Sequence, residues 1–415
     1  MAGTFKTISD GNIQTTRNTL NQLVDFVAED VSGSQATGET RKKFQVFVTG
    51  GFVGTPGVTS SLFQTVFDQN YTLQTSNEIF DLTMGLFETS DIVTGSQTGT
   101  DAKGKLLFSS QSVMMREKIS VYQQFAQLLL GDASAQFSSP FSSTEAADKI
   151  DAALFVPFKR LFVRDGIKRE TFAMRFFRSG AASTIDDDGA LGTSLQDNIM
   201  RNVPVATASA IFTDLGSATS IETSPAGGGV GNIVNASNTN EKVGLLFYDY
   251  GIAVLDIEKA TSGSQKMSGS IDTVGTSTGK MVMGSAGSGN PSAKLVPDFL
   301  VSASMDNILD HFATVRFGTG SATFMTFQNN TFINSTLYFC RATADEFNFS
   351  TNPTYTDANG NVVVISSPGI EKSFTFVTTV GLYNANEELL AVAKMSRPIM
   401  KNDEKDLTFR VRLDF

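Results

Sequence analysis

Two residues with versatile side-chain chemistry occur once each in the sequence, His311 and Cys340. A single Cys cannot form a disulfide within the chain, and one His with one Cys cannot complete a zinc site of Cys and His ligands. A catalytic triad with a histidine base would have to use His311. This residue lies in Met305–Phe312, a stretch with helical character, so we expect a surface or helix-capping histidine rather than a catalytic one. The sequence therefore predicts neither structural zinc nor histidine catalysis.

Three short motifs approach known binding patterns, and each lacks a residue that the chemistry needs. Gly99–Leu106 approaches a phosphate-binding loop but has Leu106 where the hydroxyl that binds Mg²⁺ belongs. Asp186–Gly189 offers clustered carboxylates but lacks the Glu that completes a calcium loop. Gly50–Gly54 lacks the glycine spacing of a dinucleotide site. We therefore predict no enzyme activity, no metal site and no cofactor.

The composition is typical of a globular, loop-rich protein. The 415 residues are 40% hydrophobic and 18% charged, and the net charge at pH 7 is −10. This charge argues against general nucleic-acid binding, which needs Lys and Arg at the phosphates. No apolar run approaches the roughly 20 residues that span a bilayer, and the amino terminus has no secretory signal. We therefore expect no transmembrane segment and a chain that stays in the cytoplasm where it is made.

Hydrophobic periodicity predicts an α+β fold dominated by β-structure. The amino-terminal third has the clearest helical patterns, at Asn18–Ala28 and at Val113–Leu130. A capping box formed by Ser142 and Glu145 predicts a further short helix through Ala153. The sequence therefore predicts a helical amino-terminal third.

From Leu154 onward the pattern changes to strands. Residues 179–293 are rich in Gly and Ser, with one clear strand pair at Val243–Tyr248 and Ile252–Leu255, and predict a loop-rich inserted middle lobe. Short alternating segments after residue 296, among them Ala313–Phe317, predict an antiparallel β carboxyl-terminal module. We therefore expect three regions: a mixed α/β region over 1–153, a β-rich lobe with long loops over 154–295, and a β-rich carboxyl-terminal module over 296–415.

The segment Leu154–Arg178 carries seven basic and two acidic side chains, a local net charge of +5. One interpretation is structural: two half-buried strands with a solvated face, joined by a hairpin turn at Asp165–Gly166. The other is a docking surface for an acidic partner or, less in keeping with the overall charge, for RNA. We favour the structural interpretation and keep the basic side chains as interface candidates: Arg160, Arg164, Lys168, Arg169 and Arg175.

Four segments near the carboxyl end have a recognisable order and spacing: Glu346–Tyr355, Phe376–Asn384, Glu388–Pro398 and Phe409–Phe415. Together they resemble structural proteins of contractile-tailed, T-even-like phages, including phages of marine bacteria. Within that group they look most similar to the last part of the dimeric baseplate wedge subunit. The resemblance covers residues 296–415 well and Lys118–Asp132 and Asn77–Leu86 more loosely, and it does not extend to the middle of the chain.

This resemblance implies a non-enzymatic virion subunit that acts in baseplate assembly and in signalling during tail contraction. It implies assembly in the host cytoplasm, a homodimer and contacts with other baseplate subunits, without nucleic acid or membrane insertion. Phe347 and Phe349, in the first matching segment, complete the set of interface candidates. Gly381–Ala391 has the pattern of an ordinary hairpin, so we interpret it as fold rather than as a site.

Three alternatives to the baseplate wedge remain open at the level of the sequence. A head or neck protein could share the same carboxyl-terminal module. A host-receptor-binding protein could recognise a cell-surface glycan through residues 179–293, although the sequence has 34 Phe and no Trp, and sugar sites usually exploit Trp and Tyr. A cell-wall hydrolase could use paired carboxylates.

Overall fold

The computed structural model describes residues 5–32, 40–49, 58–98, 112–159, 165–181, 205–261, 295–296, 300–317, 322–350, 352–362 and 374–414. The chain divides into two compact units, which we call the central unit and the terminal unit. The central unit is Asn21–Thr331, and the terminal unit combines Met1–Leu20 with Phe332–Phe415. The three short motifs considered above, at 50–54, 99–106 and 186–189, lie outside the described residues.

Strands are the main regular structure of both units, and their registered pairings are antiparallel. The strands are β1 Ile13–Leu20, β2 Leu23–Val27, β3 Arg41–Thr49, β4 Val58–Phe67, β5 Glu78–Leu86, β6 Ala152–Pro157, β7 Asp165–Ile167, β8 Ala173–Ala181, β9 Val205–Thr213, β10 Glu222–Thr223, β11 Gly229–Asn235, β12 Asn238–Phe247, β13 Ile252–Asp256, β14 Thr323–Ala342, β15 Thr375–Tyr383, β16 Leu389–Lys401 and β17 Leu407–Asp414.

Helix is confined to short segments and one longer helix in the part of the chain that the structure describes. The helices are α1 Ala28–Ser32, α2 Asp91–Thr98, α3 Val113–Leu130, α4 Ile257–Ala260, α5 Leu300–Ser302 and α6 Met305–His311, with 3₁₀ turns at Asp10–Asn12 and Ala146–Asp148 and a π-helix at Phe312–Arg316.

The central unit is built on one large sheet in the order β14-β8-β9-β11-β12-β13-β6-β5-β4-β3. β2 and β7 also pair with β14, and β10 pairs with β11. Every residue of β6 is buried between β13 and β5. A strand that is covered on both faces has no need of a polar side, which explains why Ala152–Pro157 is a continuous apolar run.

Helix α3 packs directly on β5. It begins after Ser112, whose side chain accepts a hydrogen bond from Met115 N, and ends at Gly131 in the left-handed conformation. At Gly85 of β5, a built Cβ would lie 2.7–2.8 Å from backbone atoms of Tyr122 in α3. Only glycine therefore allows the helix to approach this closely.

Aromatic side chains that are far apart in the sequence form the core beside β2. Phe26 lies 5.6 Å from both Phe80 and Phe158, measured between ring centres, and 5.7 Å from Phe327. Phe80 and Phe324 are 6.3 Å apart. Each buried ring contributes about 1.5–3 kcal/mol of hydrophobic stabilisation.

The terminal unit contains two small sheets. In the first, residues 332–342 of β14 pair with β17, in a register that places Tyr338 opposite Val411, and β14 also pairs with β1. The second sheet is the hairpin of β15 and β16. The buried hydrophobic residues among the described part of this unit are Leu337, Ala342, Tyr355, Leu382 and Val411.

The predicted helical amino-terminal third is wrong. Residues Asn18–Ala28, predicted as a helix, belong to β1 and β2 and to the first residue of α1. The helical pattern placed Leu20 and Leu23 on the buried face, whereas both are exposed and the buried residues are Phe26 and Ala28. Alternation in β2 and pairing with β14 outweigh the local helical spacing.

Two further local predictions, a short helix and a hairpin turn, are also wrong. The capping box at Ser142 and Glu145 opens no α-helix, because only the 3₁₀ turn at Ala146–Asp148 follows before β6 begins. Asp165–Gly166 is not a hairpin turn. These residues lie in β7, where Gly166 pairs with Asn330 of β14.

The middle of the chain is not an inserted loop-rich lobe where the structure describes it. Strands β11, β12 and β13 lie inside the central sheet, and all five residues of β13 are buried. The Gly-rich stretch at residues 226–229 joins β10 to β11 within this sheet, with Gly227 and Gly228 at positive φ. The fold of the described residues is therefore an antiparallel β-structure with few helices.

Of four further predicted elements, three are confirmed and one is wrong. The helix at Val113–Leu130 and the pairing of Val243–Tyr248 with Ile252–Leu255 are confirmed. The predicted hairpin around residues 381–391 is confirmed as β15 and β16. The predicted strand at Ala313–Phe317 is wrong, because the chain forms a π-helix there that continues α6.

Candidate interaction surfaces

The predicted basic interface residues near β7 contact separate parts of the central unit. Lys168 is exposed, and its Nζ donates a hydrogen bond to Gln328 Oε1 at 3.1 Å. Arg169 Nη1 donates to Ser217 O at 3.0 Å, and its guanidinium lies 4.7 Å from the centre of the Tyr248 ring. Both cations therefore hold neighbouring segments of the fold.

Arg175 lies on β8, opposite Ile211 of β9. Its guanidinium is 5.8 Å from the ring centre of Phe177, two residues along the same strand. The other two basic candidates, Arg160 and Arg164, lie outside the described residues. The basic candidates that the structure describes therefore do not form one cluster. Arg175 and its cross-strand neighbour Ile211 lie on the same partly exposed face of the sheet.

Two further cations of the positive segment are neutralised by acids elsewhere in the central unit. Lys159 Nζ lies 2.7 Å from Asp81 Oδ2. Arg178 forms an ion pair with Glu241. The local charge counted along the sequence therefore does not become a single positive surface among the described residues.

Arg169 belongs to a polar cluster centred on the buried carboxylate of Asp214. Its Oδ2 accepts hydrogen bonds from Glu170 N at 2.7 Å, from the Tyr248 hydroxyl at 2.9 Å and from Ser217 Oγ at 3.3 Å. Its Oδ1 accepts one from Phe172 N at 3.1 Å. Burial raises the pKa of Asp214, and these hydrogen bonds oppose the rise. These hydrogen bonds hold the turn before β8 in place. Both carboxylate oxygens of Asp214 accept hydrogen bonds from protein donors.

The aromatic interface candidates lie on a loop of the terminal unit. Phe347 is 47% exposed, and its carbonyl accepts a hydrogen bond from Thr375 Oγ1. Phe349 is 55% exposed and meets the Tyr355 ring edge to face, with 5.2 Å between the ring centres. The structure therefore presents both phenylalanines at the surface, beside the start of β15.

The amino-terminal arm attaches to the same unit through two contacts. Phe5 meets the Tyr383 ring edge to face, with 4.9 Å between the ring centres. Lys6 forms an ion pair with Glu346. The hydrogen bond from Lys6 and a second one from Thr343 N lower the pKa of Glu346 to about 2.

Sequence analysis missed seven large apolar residues that are exposed on the β15–β16 hairpin of the terminal unit. We call these residues the hairpin surface: Phe376, Tyr383, Leu389, Leu390, Val392, Ile399 and Met400. The alternating pattern predicted strands here, and a strand pattern does not reveal whether a third strand or another layer covers it. Among the described residues, β15 and β16 pair only with each other.

The prediction that His311 lies at the surface is wrong. His311 is fully buried rather than at the surface, and its Nε2 accepts a hydrogen bond from Arg316 Nε at 3.1 Å. Burial, together with the charge of Arg316, lowers the pKa of His311 well below its usual value. Arg316 also donates to the carbonyl oxygens of Phe177 and Arg178, which ties the π-helix to β8. His311 is thus part of the core.

The buried Lys118 is held by backbone carbonyls. Its Nζ donates to Leu300 O, Val301 O and Ala303 O at 2.7, 3.1 and 2.7 Å. Burial lowers its pKa to about 7, and the neighbouring Glu117 opposes this. Three carbonyl acceptors satisfy all three donors of an ammonium group, so this lysine joins α3 to α5.

Asp256 caps α4 from a buried position. Its Oδ1 accepts hydrogen bonds from Glu258 N and Lys259 N, and burial raises its pKa to about 7. The unfolded chain, with the usual carboxyl pKa near 3.8, loses this proton first. Between these two pKa values the folded state binds more protons, so the contribution of Asp256 to stability falls as the pH rises from about 4 to 7.

We expect Asp256→Asn to flatten this dependence. Asn keeps a cap acceptor but carries no charge, so the variant should gain roughly 2–3 kcal/mol over the wild type between pH 5 and pH 8. Denaturant titrations at both pH values measure the difference. Asp10→Asn, at an exposed position, is the control. An equal advantage of Asp256→Asn at the two pH values would contradict the buried, proton-binding carboxyl.

Within the described ranges, no three His, Cys, Asp or Glu residues come together as a metal ion would require. No helix in the described parts of the chain is long and apolar enough to cross a bilayer. Compared with known proteins, the sequence matches no protein-family model and no curated protein, and the fold matches no solved structure.

Proposed function

We propose that the chain is a non-enzymatic structural subunit of a phage virion, acting as a component of the tail baseplate wedge. The observation that carries the proposal is the imbalance of the terminal unit, in which five described hydrophobic residues are buried and twelve large ones are exposed. The exposed residues are Phe5, Ile13, Leu20, Phe347, Phe349, Phe376, Tyr383, Leu389, Leu390, Val392, Ile399 and Met400.

Such an imbalance favours a unit that completes its core through contacts with other polypeptides. A soluble monomer rarely exposes a large contiguous apolar patch, and an isolated two-stranded hairpin is only marginally stable in water. The segments that resemble phage structural proteins lie in this same unit, over Glu346–Tyr355 and from Phe376 onward. Resemblance and exposed surface therefore point to one role, assembly with other virion subunits and with a second copy.

The central unit supports a scaffold role by a different argument. Its buried ionisable side chains, such as Asp214 and Lys118, are bonded to backbone groups that hold turns and helix ends in place. A general acid, base or nucleophile needs a polar atom that can reach a substrate. These groups instead serve the rigidity that a load-carrying virion subunit needs.

Immunoelectron microscopy of purified particles tests the proposal. An antibody raised against residues 342–365, which include the exposed Phe347 and Phe349, should label the tail tip. Label on the head or neck would retain a virion role and reject the wedge. Absence of the protein from blots of denatured particles would reject the virion role altogether.

A further inference from the structure

We propose that strand β1 is an open sheet edge, to which an extended segment of a different subunit adds as a further strand. The identity of that partner as a virion subunit rests on the proposed function. The open edge itself is measured on the purified chain, without virions. The failure of one proposal is therefore distinguishable from the failure of the other.

Strand β1 lies at the edge of the sheet that it forms with β14 and β17. Among the described strands it pairs with β14 alone, so one side of its backbone meets no other described strand. Successive residues of a strand direct their N–H and C=O groups alternately to the two sides, so about half of these groups in Ile13–Leu20 face away from β14. The strand has eight residues and is about 27 Å long, which is sufficient for an ordinary strand partner.

The side chains of β1 favour recognition through the backbone. All of them are exposed, so neither face of this strand is covered by another layer. The two apolar residues, Ile13 and Leu20, stand at the ends, and every residue between them is polar. A helix or an apolar pocket would find little apolar surface along the strand. An added strand, in contrast, forms hydrogen bonds with the backbone whatever the side chains are.

Strands at sheet edges are usually protected against such pairing, and β1 lacks the usual protection. Lysine, proline and other charged residues on an edge discourage an added strand. Strand β16 carries Lys394 and Pro398, and β17 exposes Arg410. Strand β1 has no Lys, Pro or Gly, and the guanidinium of Arg17, its single charge, lies 3.5 Å from the centre of the Phe332 ring. We expect an unprotected edge of this length to be covered when the protein functions.

Charge and geometry favour a different polypeptide over a second copy of this chain. The chain has a net charge of −10 at pH 7, so two copies repel each other. A second β1 would also bring the same uncovered polar faces. A segment of another subunit can bring a layer of its own that covers one face of β1. Because Arg17 is the only charged residue of β1, the segment that fits is extended and carries few charges.

Hydrogen exchange of the purified full-length chain tests the edge directly. About half of the amides of Ile13–Leu20 should exchange fast, because they face water. The probe is a synthetic peptide of alternating threonine and valine with a lysine at each end. At about 1 mM it should slow the fast amides about 3-fold, as a Kd near roughly 0.5 mM requires. No slowing would overturn the proposal, and so would full protection without the peptide. Protection that rises with protein concentration alone would identify a second copy as the partner and reject a different subunit.

Proline at two adjacent positions separates backbone recognition from side-chain contacts. Thr15 and Thr16 direct their N–H groups to opposite sides of β1. One of the variants Thr15→Pro and Thr16→Pro therefore loses a bond to β14, and the other loses a donor at the open edge. Hydrogen exchange of β14 identifies the edge variant, which leaves the sheet intact. During infection of cells that express tagged copies, this variant should enter particles about 10-fold less than the wild type. Alanine at the same position keeps the N–H and should enter as the wild type does.

The outcomes of the particle experiment separate the two proposals. Equal entry of the edge proline variant and the wild type would overturn the added strand. Equal losses with alanine and with proline would indicate recognition of the side chain and would overturn it as well. Absence of the wild-type chain from particles would reject the virion role, and the peptide measurement would then decide the open edge by itself. The peptide measurement also decides if both proline variants disrupt the sheet.

Discussion

Replacement of Gly85 by alanine should lower the free energy of unfolding by about 3 kcal/mol. The added methyl would lie 2.7–2.8 Å from the backbone nitrogen and Cα of Tyr122, and backbone atoms in the middle of a helix cannot turn aside as a flexible side chain can. Helix α3 would have to move away from β5. Tyr122 makes that movement costly, because its hydroxyl donates to Ile150 O and accepts from Phe137 N.

Chemical denaturation of the Gly85→Ala variant measures this cost. Gly11→Ala is the matched control, because nothing lies within 4 Å of a Cβ built there, and it should change the stability by less than about 0.5 kcal/mol. Equal stability of the two variants would show that α3 does not approach β5 this closely. A smaller loss of stability, with an unchanged m value for denaturant unfolding, would indicate that the helix shifts without exposing the core.

The elements that sequence analysis predicted correctly are those whose signals are local. Helix α3 has its capping serine, its apolar stripe and its terminal glycine within twenty residues. The β15–β16 hairpin likewise needs only two alternating segments and an Asn-rich turn between them. In both cases, the residues that decide the structure are neighbours in the chain.

The amino-terminal strands could not be predicted in this way, because their partners are distant. β2 pairs with β14, about 300 residues further along, and Phe26 is buried by rings that come from three separate parts of the sequence. The local spacing of Leu20, Leu23 and Val24 fits a helix, and only the distant partners make the strand more favourable. The same reasoning applies to Asp165–Gly166, whose pairing partner is Asn330.

For the candidate surfaces too, local sequence signals were sufficient for some residues and distant contacts decided the others. Phe347 and Phe349 were found because they lie in a recognisable segment, and the structure places both at the surface. Lys168 and Arg169 were chosen for their local charge, yet their partners Gln328 and Ser217 are distant in the sequence. The exposure of the hairpin surface depends on what does not pack against it, and no local pattern carries that information.

Replacement of Asp214 by alanine should lower the free energy of unfolding by about 3–5 kcal/mol. The change removes an acceptor from four donors, Glu170 N, Phe172 N, Tyr248 Oη and Ser217 Oγ, and each buried donor left without a partner costs about 1–3 kcal/mol. Water that enters the space would recover part of this. Asp214→Asn should cost less, because the amide oxygen still accepts while the amide group faces one donor.

A double-mutant cycle with Tyr248→Phe separates a connected network from independent hydrogen bonds. Tyr248→Phe removes one donor to Asp214, so the double variant should lose less stability than the two single variants together, by at least about 1 kcal/mol. Hydrogen exchange at the amides of Glu170 and Phe172 should quicken in Asp214→Ala more than in Tyr248→Phe. Strict additivity would mean that the Tyr248 hydroxyl and the amides of Glu170 and Phe172 are held by separate contacts. The turn before β8 could then shift without disturbing Tyr248, whereas coupling requires the turn and β12 to move together.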